Sequence, residues 1–331
     1  MSDPGIASPA VPVIDIAPFL AGTARGKHEV AHAVNAACEE IGFLVITGHG
    51  IPSQACERVF ANARDFFALA VEEKLKVRKP SGFSSSAYHP FATEAYANKH
   101  LVRTPVDLRE SFGMGRPDRP TGAFNRWPLR PAEFAAIFTE HYYCTERLAY
   151  DLARIFAVAL GLKEDYFDAK IDRHDSAMLV HNYPEQAEAP LPGQLRTGPH
   201  SDVGLFTILR TEREHRPGGL QLQNRAGDWI DVPAVQDSFV INIGDTLMRW
   251  SNDRWISTLH RVVNPPRDAA IGNQRLSLPF FFKANQDTIL DCLPNCCGPG
   301  NPAKYPPVTA GAYNKECLDR AFSFATAATA D

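Results

Sequence analysis

The chain has 331 residues, 34 Lys and Arg against 38 Asp and Glu, and a formal net charge of −4. With 44% hydrophobic and 22% charged residues, it has the balance of a globular chain long enough to bury a sizeable core. The slight acidity argues against a nucleic-acid partner, which needs a clustered basic face, and no apolar run approaches the roughly 20 residues of a membrane-spanning helix.

The N-terminal MSDPGIASPAVP lacks the charged start and apolar stretch of a secretory signal, so a cytoplasmic protein is expected. From Gly26 to Gly42, the residues Val30, Val34, Ala37, Cys38 and Ile41 recur at helical spacing, and Gly42 is a natural stop. FLVIT (43–47) follows as a short buried strand, and the segment from His49 to Phe67 starts a second helix with Pro52 near its first turn. A stretch rich in Pro, Gly and Ser spans about 79–130. Its Phe83, Tyr88, Phe91, Phe112 and Met114 could form a lid over an apolar substrate, or ordinary packing beneath a long loop. A third helix is expected over about 131–160 from Phe134, Ile137, Phe138, Leu148, Leu152, Ile155 and Phe156.

After about residue 175 the pattern changes to short strands separated by turns: AMLVHNY, VGLFTIL, GLQLQ, WIDVP, FVINIG, LHRVV and RLSLPFFFK, with NRAG as a hairpin turn. The C-terminal TAGAYNKECLDRAF reads as a closing helix. Strands without intervening helices predict a mainly β core, an antiparallel sandwich or barrel, with the earlier helices packed outside. No repeat or linker divides the chain. One integrated unit is expected, with a helical and strand region over 1–130 and a helix plus β catalytic core over 131–331.

Seven cysteines, an odd and scattered set, read as reduced thiols. Cys292, Cys296 and Cys297 raise the possibility of a zinc knuckle, but no second Cys or His pair follows at finger spacing.

The chemistry begins at His200-Ser201-Asp202. On a strand, residues two apart share a face, so both side chains could reach one cation; in a turn they would be two ordinary polar residues. His260 is the best third donor. Two histidines and a carboxylate on one face of an octahedron leave three positions open, which suits a non-haem Fe(II) oxygenase. The same set plus water could also satisfy zinc. In RLSLPFFFK, alternation puts Arg275, Ser277, Pro279, Phe281 and Lys283 on one face, unless Pro279 introduces a bulge. An inward arginine fork beside a hydroxyl is what the distal carboxylate of a small dicarboxylate would need, or it is paired with an internal acid. The same argument points Leu179, His181 and Tyr183 one way, so the Tyr183 hydroxyl could join Arg275 and Ser277.

Taken together, H-x-D, a later His and R-x-S resemble the isopenicillin N synthase-like branch of the Fe(II)/2-oxoglutarate-dependent oxygenases. The stretches VPVIDIAPFL, GFLVITGHGIP, DLRESFGMG, GDTLMRWSNDRWISTLHRVVNP and YPPVTAGAY are similar to regions of that family, so the resemblance covers nearly the whole chain. It implies a double-stranded β-helix, a distorted jelly-roll barrel wrapped by helices. It also implies His200, Asp202 and His260 as iron ligands, and Arg275 as partner of the C5 carboxylate of 2-oxoglutarate, with Ser277 and Tyr183 hydrogen-bonding to that carboxylate. Where plant members often read N-Y-Y-P, this chain reads His181-Asn182-Tyr183-Pro184. His181 therefore stands at the position of an asparagine near the cosubstrate, as a contact to it or as a packed core histidine.

The implied activity consumes 2-oxoglutarate and O2, releases succinate and CO2, and hydroxylates, desaturates or cyclises a small specialised-metabolite or amino-acid-like substrate. The protein would need no catalytic residue beyond the metal site. Candidate substrate contacts are Leu179, Phe206, Phe281, Lys283 and Phe112; Phe206 is placed by its shared parity with Asp202 on the ligand strand, and Lys283 faces either a substrate anion or an internal acid. A monomer or weak homo-oligomer is expected. The alternatives are an oxidase of the isopenicillin N synthase type that uses no 2-oxoglutarate, a zinc hydrolase, and a non-catalytic sensor.

Overall fold

The computed structural model describes residues 11–78, 86–95, 104–118, 125–212, 219–269 and 272–327; Phe83 lies outside them. In chain order the elements begin with β1 (Val13–Asp15), α1 (Ala17–Leu20), α2 (Ala24–Glu40), β2 (Phe43–Thr47), α3 (Ser53–Phe67) and α4 (Val71–Leu75). Next come β3 (Ala87–His89), β4 (Glu110–Gly115), α5 (Phe134–Ala159), α6 (Asp168–Ile171), β5 (Ala177–Tyr183), β6 (Thr197–His200) and β7 (Phe206–Thr211). The chain continues through β8 (Leu220–Gln223), β9 (Trp229–Asp231), β10 (Phe239–Ile243), α7 (Asp245–Trp250), β11 (His260–Val262) and β12 (Arg275–Phe282). It closes with β13 (Ile289–Leu290), β14 (Val308–Thr309) and α8 (Ala310–Ala327).

The N-terminal helices form where the apolar spacing asks for them. The Thr23 hydroxyl caps α2 by accepting from the Gly26 amide at 3.1 Å, and Gly42, at φ +66°, turns the chain out of it. Val30, Ala31, Val34, Ala37 and Cys38 form its buried stripe. On α5 the buried face includes Phe134, Ile137, Phe138, Leu148, Leu152, Ile155 and Phe156.

Eight strands form one sheet in the order β1-β2-β10-β7-β12-β5-β4-β3, parallel only between β1 and β2. Four more form an antiparallel sheet in the order β6-β11-β8-β9. The large sheet draws strands from both sides of residue 130, since β2 pairs with β10 and β4 with β5. The β-rich core with helices against one face is thus present as two facing, unclosed sheets.

Alternation sorts each central strand between two environments. On β12, Leu276, Leu278, Phe280 and Phe282 join the main apolar core with residues of α2, α3 and α5. Arg275, Ser277, Pro279 and Phe281 line a cavity between the sheets. Pro279 introduces no bulge: β12 keeps one register with β7 and with β5 on both sides of it. A smaller apolar cluster, including Val11, Phe43, Val45, Leu222 and Val240, closes the space between the sheets.

Candidate metal centre

His200 closes β6, Asp202 lies just past it, and His260 opens β11. The two histidines are direct partners across the β6–β11 ladder, which brings their rings to 4.2 Å between centroids. The aspartate is therefore in a turn and not on the strand, a difference from the shared-face geometry that H-x-D suggests. Glycine makes the turn possible. Gly204 has φ +139°, and a Cβ there would come within 2.9 Å of the Phe282 carbonyl; a Cβ on Gly244 would lie 2.4 Å from the Gly204 carbonyl.

Asp202 Oδ1 is 3.7 Å from Nε2 of each histidine, and one ligand atom from each of the three residues falls within 4.8 Å of the others. Among the described residues this is the one His, Cys, Asp and Glu cluster with that geometry. Backbone carbonyls set the tautomers. His200 Nδ1 donates to Gly198 O at 2.9 Å and His260 Nδ1 to Thr258 O at 3.0 Å, leaving both Nε2 lone pairs aimed inward. Asp202 Oδ2 accepts from Thr207 Oγ1 at 2.6 Å and Asn242 Nδ2 at 2.8 Å, which leaves Oδ1 for an ion. Burial raises the Asp202 carboxyl pKa, but the two imidazoles and the two hydrogen bonds outweigh it and hold the group at about 2. Two neutral imidazoles and one ionised carboxylate, oriented by second partners, are a donor set that fits Fe(II).

Arg275 and Ser277 line the same cavity, whose volume is about 50 Å³. Arg275 sits opposite Tyr183, and Ser277 opposite His181, in the β12–β5 register. The Tyr183 hydroxyl lies 3.3 Å from Thr197 Oγ1. Desolvation pulls the Arg275 pKa down, against the opposing fields of Tyr183 and Glu212. His181 is buried beside Arg109 and Ser111, with its Nδ1 2.6 Å from Arg109 Nη1 and 2.7 Å from Ser111 Oγ. Burial, reinforced by the Arg109 charge, holds His181 well below the usual histidine range, so the ring is neutral.

The expected substrate contacts fall in different places. Phe281 lines the cavity, whereas Leu179 is buried without lining it. Phe206 faces the other way, against Phe156 and Phe282. The turn at 201–205 separates it from Asp202 and puts it in the other sheet, so their parity is unrelated; Thr207 and Leu209 are the inward residues. Phe112 packs against Phe66, Phe134 and Phe138 on the helical side of β4 and does not line the cavity, which corrects its place among the candidate substrate contacts and matches the packing alternative. Lys283 lies past the end of β12, half-buried, and does not line the cavity. None of the seven cysteines is joined in a disulfide. The cavity residues missed in the sequence include Arg109, Thr207 and Asn242. Arg109 stands inside the quoted DLRESFGMG, but only the β4–β5 register turns it toward the metal side.

Two family models match the chain. Residues 11–130 match the N-terminal region of non-haem dioxygenases in morphine synthesis, and residues 174–284 match the 2OG-Fe(II) oxygenase superfamily. The chain is 33% identical to the 2-oxoglutarate-Fe(II) type oxidoreductase hxnY of Emericella nidulans, over 96% of this chain and 93% of that protein. It is 31% identical to the oxidoreductase ppzC of Metarhizium majus, over 89% and 83%. The crystal structure of a full-length Neurospora crassa protein in complex with alpha-KG and thymine superposes with a TM-score of 0.85 at 29% identity, covering 96% of this chain and 98% of that one. These relatives do not favour an oxidase working without 2-oxoglutarate. A His-Asp-His cluster between two sheets, together with this family match, makes the chain a member of the 2OG-Fe(II) oxygenase superfamily, an enzyme whose cofactors are Fe(II), 2-oxoglutarate and O2.

Proposed function

We propose that His200, Asp202 and His260 are the iron ligands, and that Arg275, Ser277 and Tyr183 receive the C5 carboxylate of 2-oxoglutarate. The substrate is a small molecule admitted to the same cavity. The observation that carries this reading is the convergence of the three ligand atoms within 4.8 Å in a cavity that Arg275 and Ser277 also line.

Fe(II) bound there, with 2-oxoglutarate and O2, supplies the oxidation of a substrate C–H bond while succinate and CO2 are released. The chain's own residues orient and exclude. Gly198 O and Thr258 O fix the imidazole tautomers, and Thr207 and Asn242 fix the carboxylate. The Arg275 fork matches a carboxylate in two parallel hydrogen bonds. Leu209, Leu220, Val262, Pro279 and Phe281 keep the cavity largely apolar. The Neurospora crassa protein, bound to thymine, supports a compact substrate.

The test needs no substrate. Anaerobic titration with Fe(II), followed by calorimetry with 2-oxoglutarate, is expected to give one equivalent of each. His200→Ala loses the metal. Arg275→Gln keeps the metal but binds 2-oxoglutarate at least tenfold more weakly. Full metal occupancy in His200→Ala would sink the assignment.

A further inference from the structure

We infer that Cys292 and Cys297 form a reversible thiol modification site, a dithiol that exchanges with small disulfides to make one intramolecular bond. Neither residue belongs to the metal cluster or lines its cavity, so the inference stands apart from what that cavity binds.

The three cysteines between β13 and β14 share one turn, and their surroundings tell them apart. Cys296 N donates to Leu293 O at 2.8 Å, which closes a turn over 293–296. Cys292 and Cys297 flank that turn on either side. Both of their sulfurs face the same carbonyl, Leu293 O, with Cys292 Sγ at 3.5 Å and Cys297 Sγ at 3.9 Å. The two thiols therefore lie together on one side of the turn, as a disulfide requires. Cys296 instead packs into the main apolar core at 4% exposure. The turn is pinned without help from sulfur. Leu293 N donates to Trp250 O at 3.0 Å, and Asn252 Nδ2 and Asn301 Nδ2 donate to Cys296 O at 3.1 and 2.9 Å. Joining or separating the two sulfurs leaves those bonds in place.

Access divides the roles of the pair. Cys297 lines an open cavity of about 560 Å³, and the Gly298-Pro299-Gly300 stretch after it leaves open space around both glycines. A small disulfide reaches Cys297 from there. Cys292 does not line that cavity. Burial pushes its thiol up to about 12, reinforced by a side-chain hydrogen bond with Cys297 and by the Cys297 and Cys296 sulfurs nearby. The order of exchange follows. The Cys297 thiolate attacks one sulfur of the disulfide RSSR, forms a Cys297–SR bond and expels RS−, which takes up the proton Cys297 gave up. With Cys297 capped, its hydrogen bond and charge no longer hold the Cys292 proton. Cys292 then loses that proton and attacks the Cys297 sulfur, and the second RS− leaves as RSH. Two protein thiols are oxidised to one disulfide while RSSR is reduced to two RSH.

The experiment uses the full chain loaded anaerobically with Fe(II) and 2-oxoglutarate, and oxidised glutathione is the small disulfide. After an acid quench, remaining thiols are blocked with N-ethylmaleimide in denaturant. The tryptic peptide from Ala284 to Lys304, which holds all three cysteines, is then weighed and fragmented. The wild-type peptide is expected to be lighter by two hydrogens and to carry one maleimide, on Cys296; excess reduced glutathione reverses the change. Cys292→Ser traps the intermediate, so its peptide carries glutathione on Cys297 at least tenfold more often than the wild-type peptide does. Cys296→Ser keeps the intramolecular bond and proves the pairing where Cys292→Ser does not fold. The inference is overturned if the oxidised wild-type peptide still takes up three maleimides, if Cys296→Ser abolishes the bond, or if Cys297→Ser still forms one, since Cys296 is then the partner.

Discussion

At the residue scale, the centre depends on side chains that do not touch the ion. Asp202 offers one oxygen inward because the other is taken by Thr207 and Asn242. With those bonds gone, the carboxylate can rotate and its second oxygen loses its partners in a buried site. Asn242→Ala is therefore expected to weaken divalent-metal binding about 10- to 100-fold while the fold is kept; Mn(II) titration checks this, and unchanged affinity would refute the role. His200 and Asp202 stand out in the sequence because two ligand-type residues two apart are a recognisable pattern. Asn242 and Arg109 do not, because an asparagine in FVINIG and an arginine in a charged segment look like many others. Their meaning comes from what faces them across the ladders.

At the scale of elements, strand parity was legible wherever a strand ran unbroken. The alternation of RLSLPFFFK puts Arg275, Ser277, Pro279 and Phe281 on one face, and those four residues line the cavity. Parity failed where a turn intervened, as at Phe206. The strand β6 went unread because Gly198 and Pro199 look like a turn, whereas β6 is the edge of its sheet, where proline is tolerated. Phe112 shows the converse: its aromatic character made it a candidate substrate contact, but its place on β4 turns it toward α3 and α5. Phe112→Ala removes a fully buried ring that packs on Phe66 and Phe134. It is expected to cost about 3–5 kcal/mol of stability while leaving 2-oxoglutarate affinity in the folded protein unchanged. Chemical denaturation and calorimetry test the two halves separately.

At the scale of the whole molecule, stability is tied to pH through histidines buried without charge. His141 on α5 is 2% exposed, and burial, aided by the Arg210 charge, lowers its pKa from 6.5 to about 4. The unfolded chain therefore takes up this proton first as the pH falls. Stability is fully present above the unfolded value of 6.5 and is lost progressively as pH drops through the folded value of about 4. At about 1.4 kcal/mol per pKa unit, the loss approaches about 3 kcal/mol. Denaturation curves between pH 4 and 7 should show this slope, and His141→Gln, which cannot take up the proton, should flatten it. A slope unchanged by the substitution would assign the effect elsewhere, with His181 the next candidate.

The sequence by itself determined the period of each element and the order of ligand-type residues along the chain, because both follow from local backbone geometry and side-chain chemistry. That was enough for the three long helices of the N-terminal half, most strands of the β core and the family to which the chain belongs. Only the tertiary structure decided which residues share a cavity. The pairing of His200 with His260, the clamp on Asp202 and the turning of Arg109 toward the metal side all depend on strands distant in sequence lying side by side, and spacing along one chain does not encode that register.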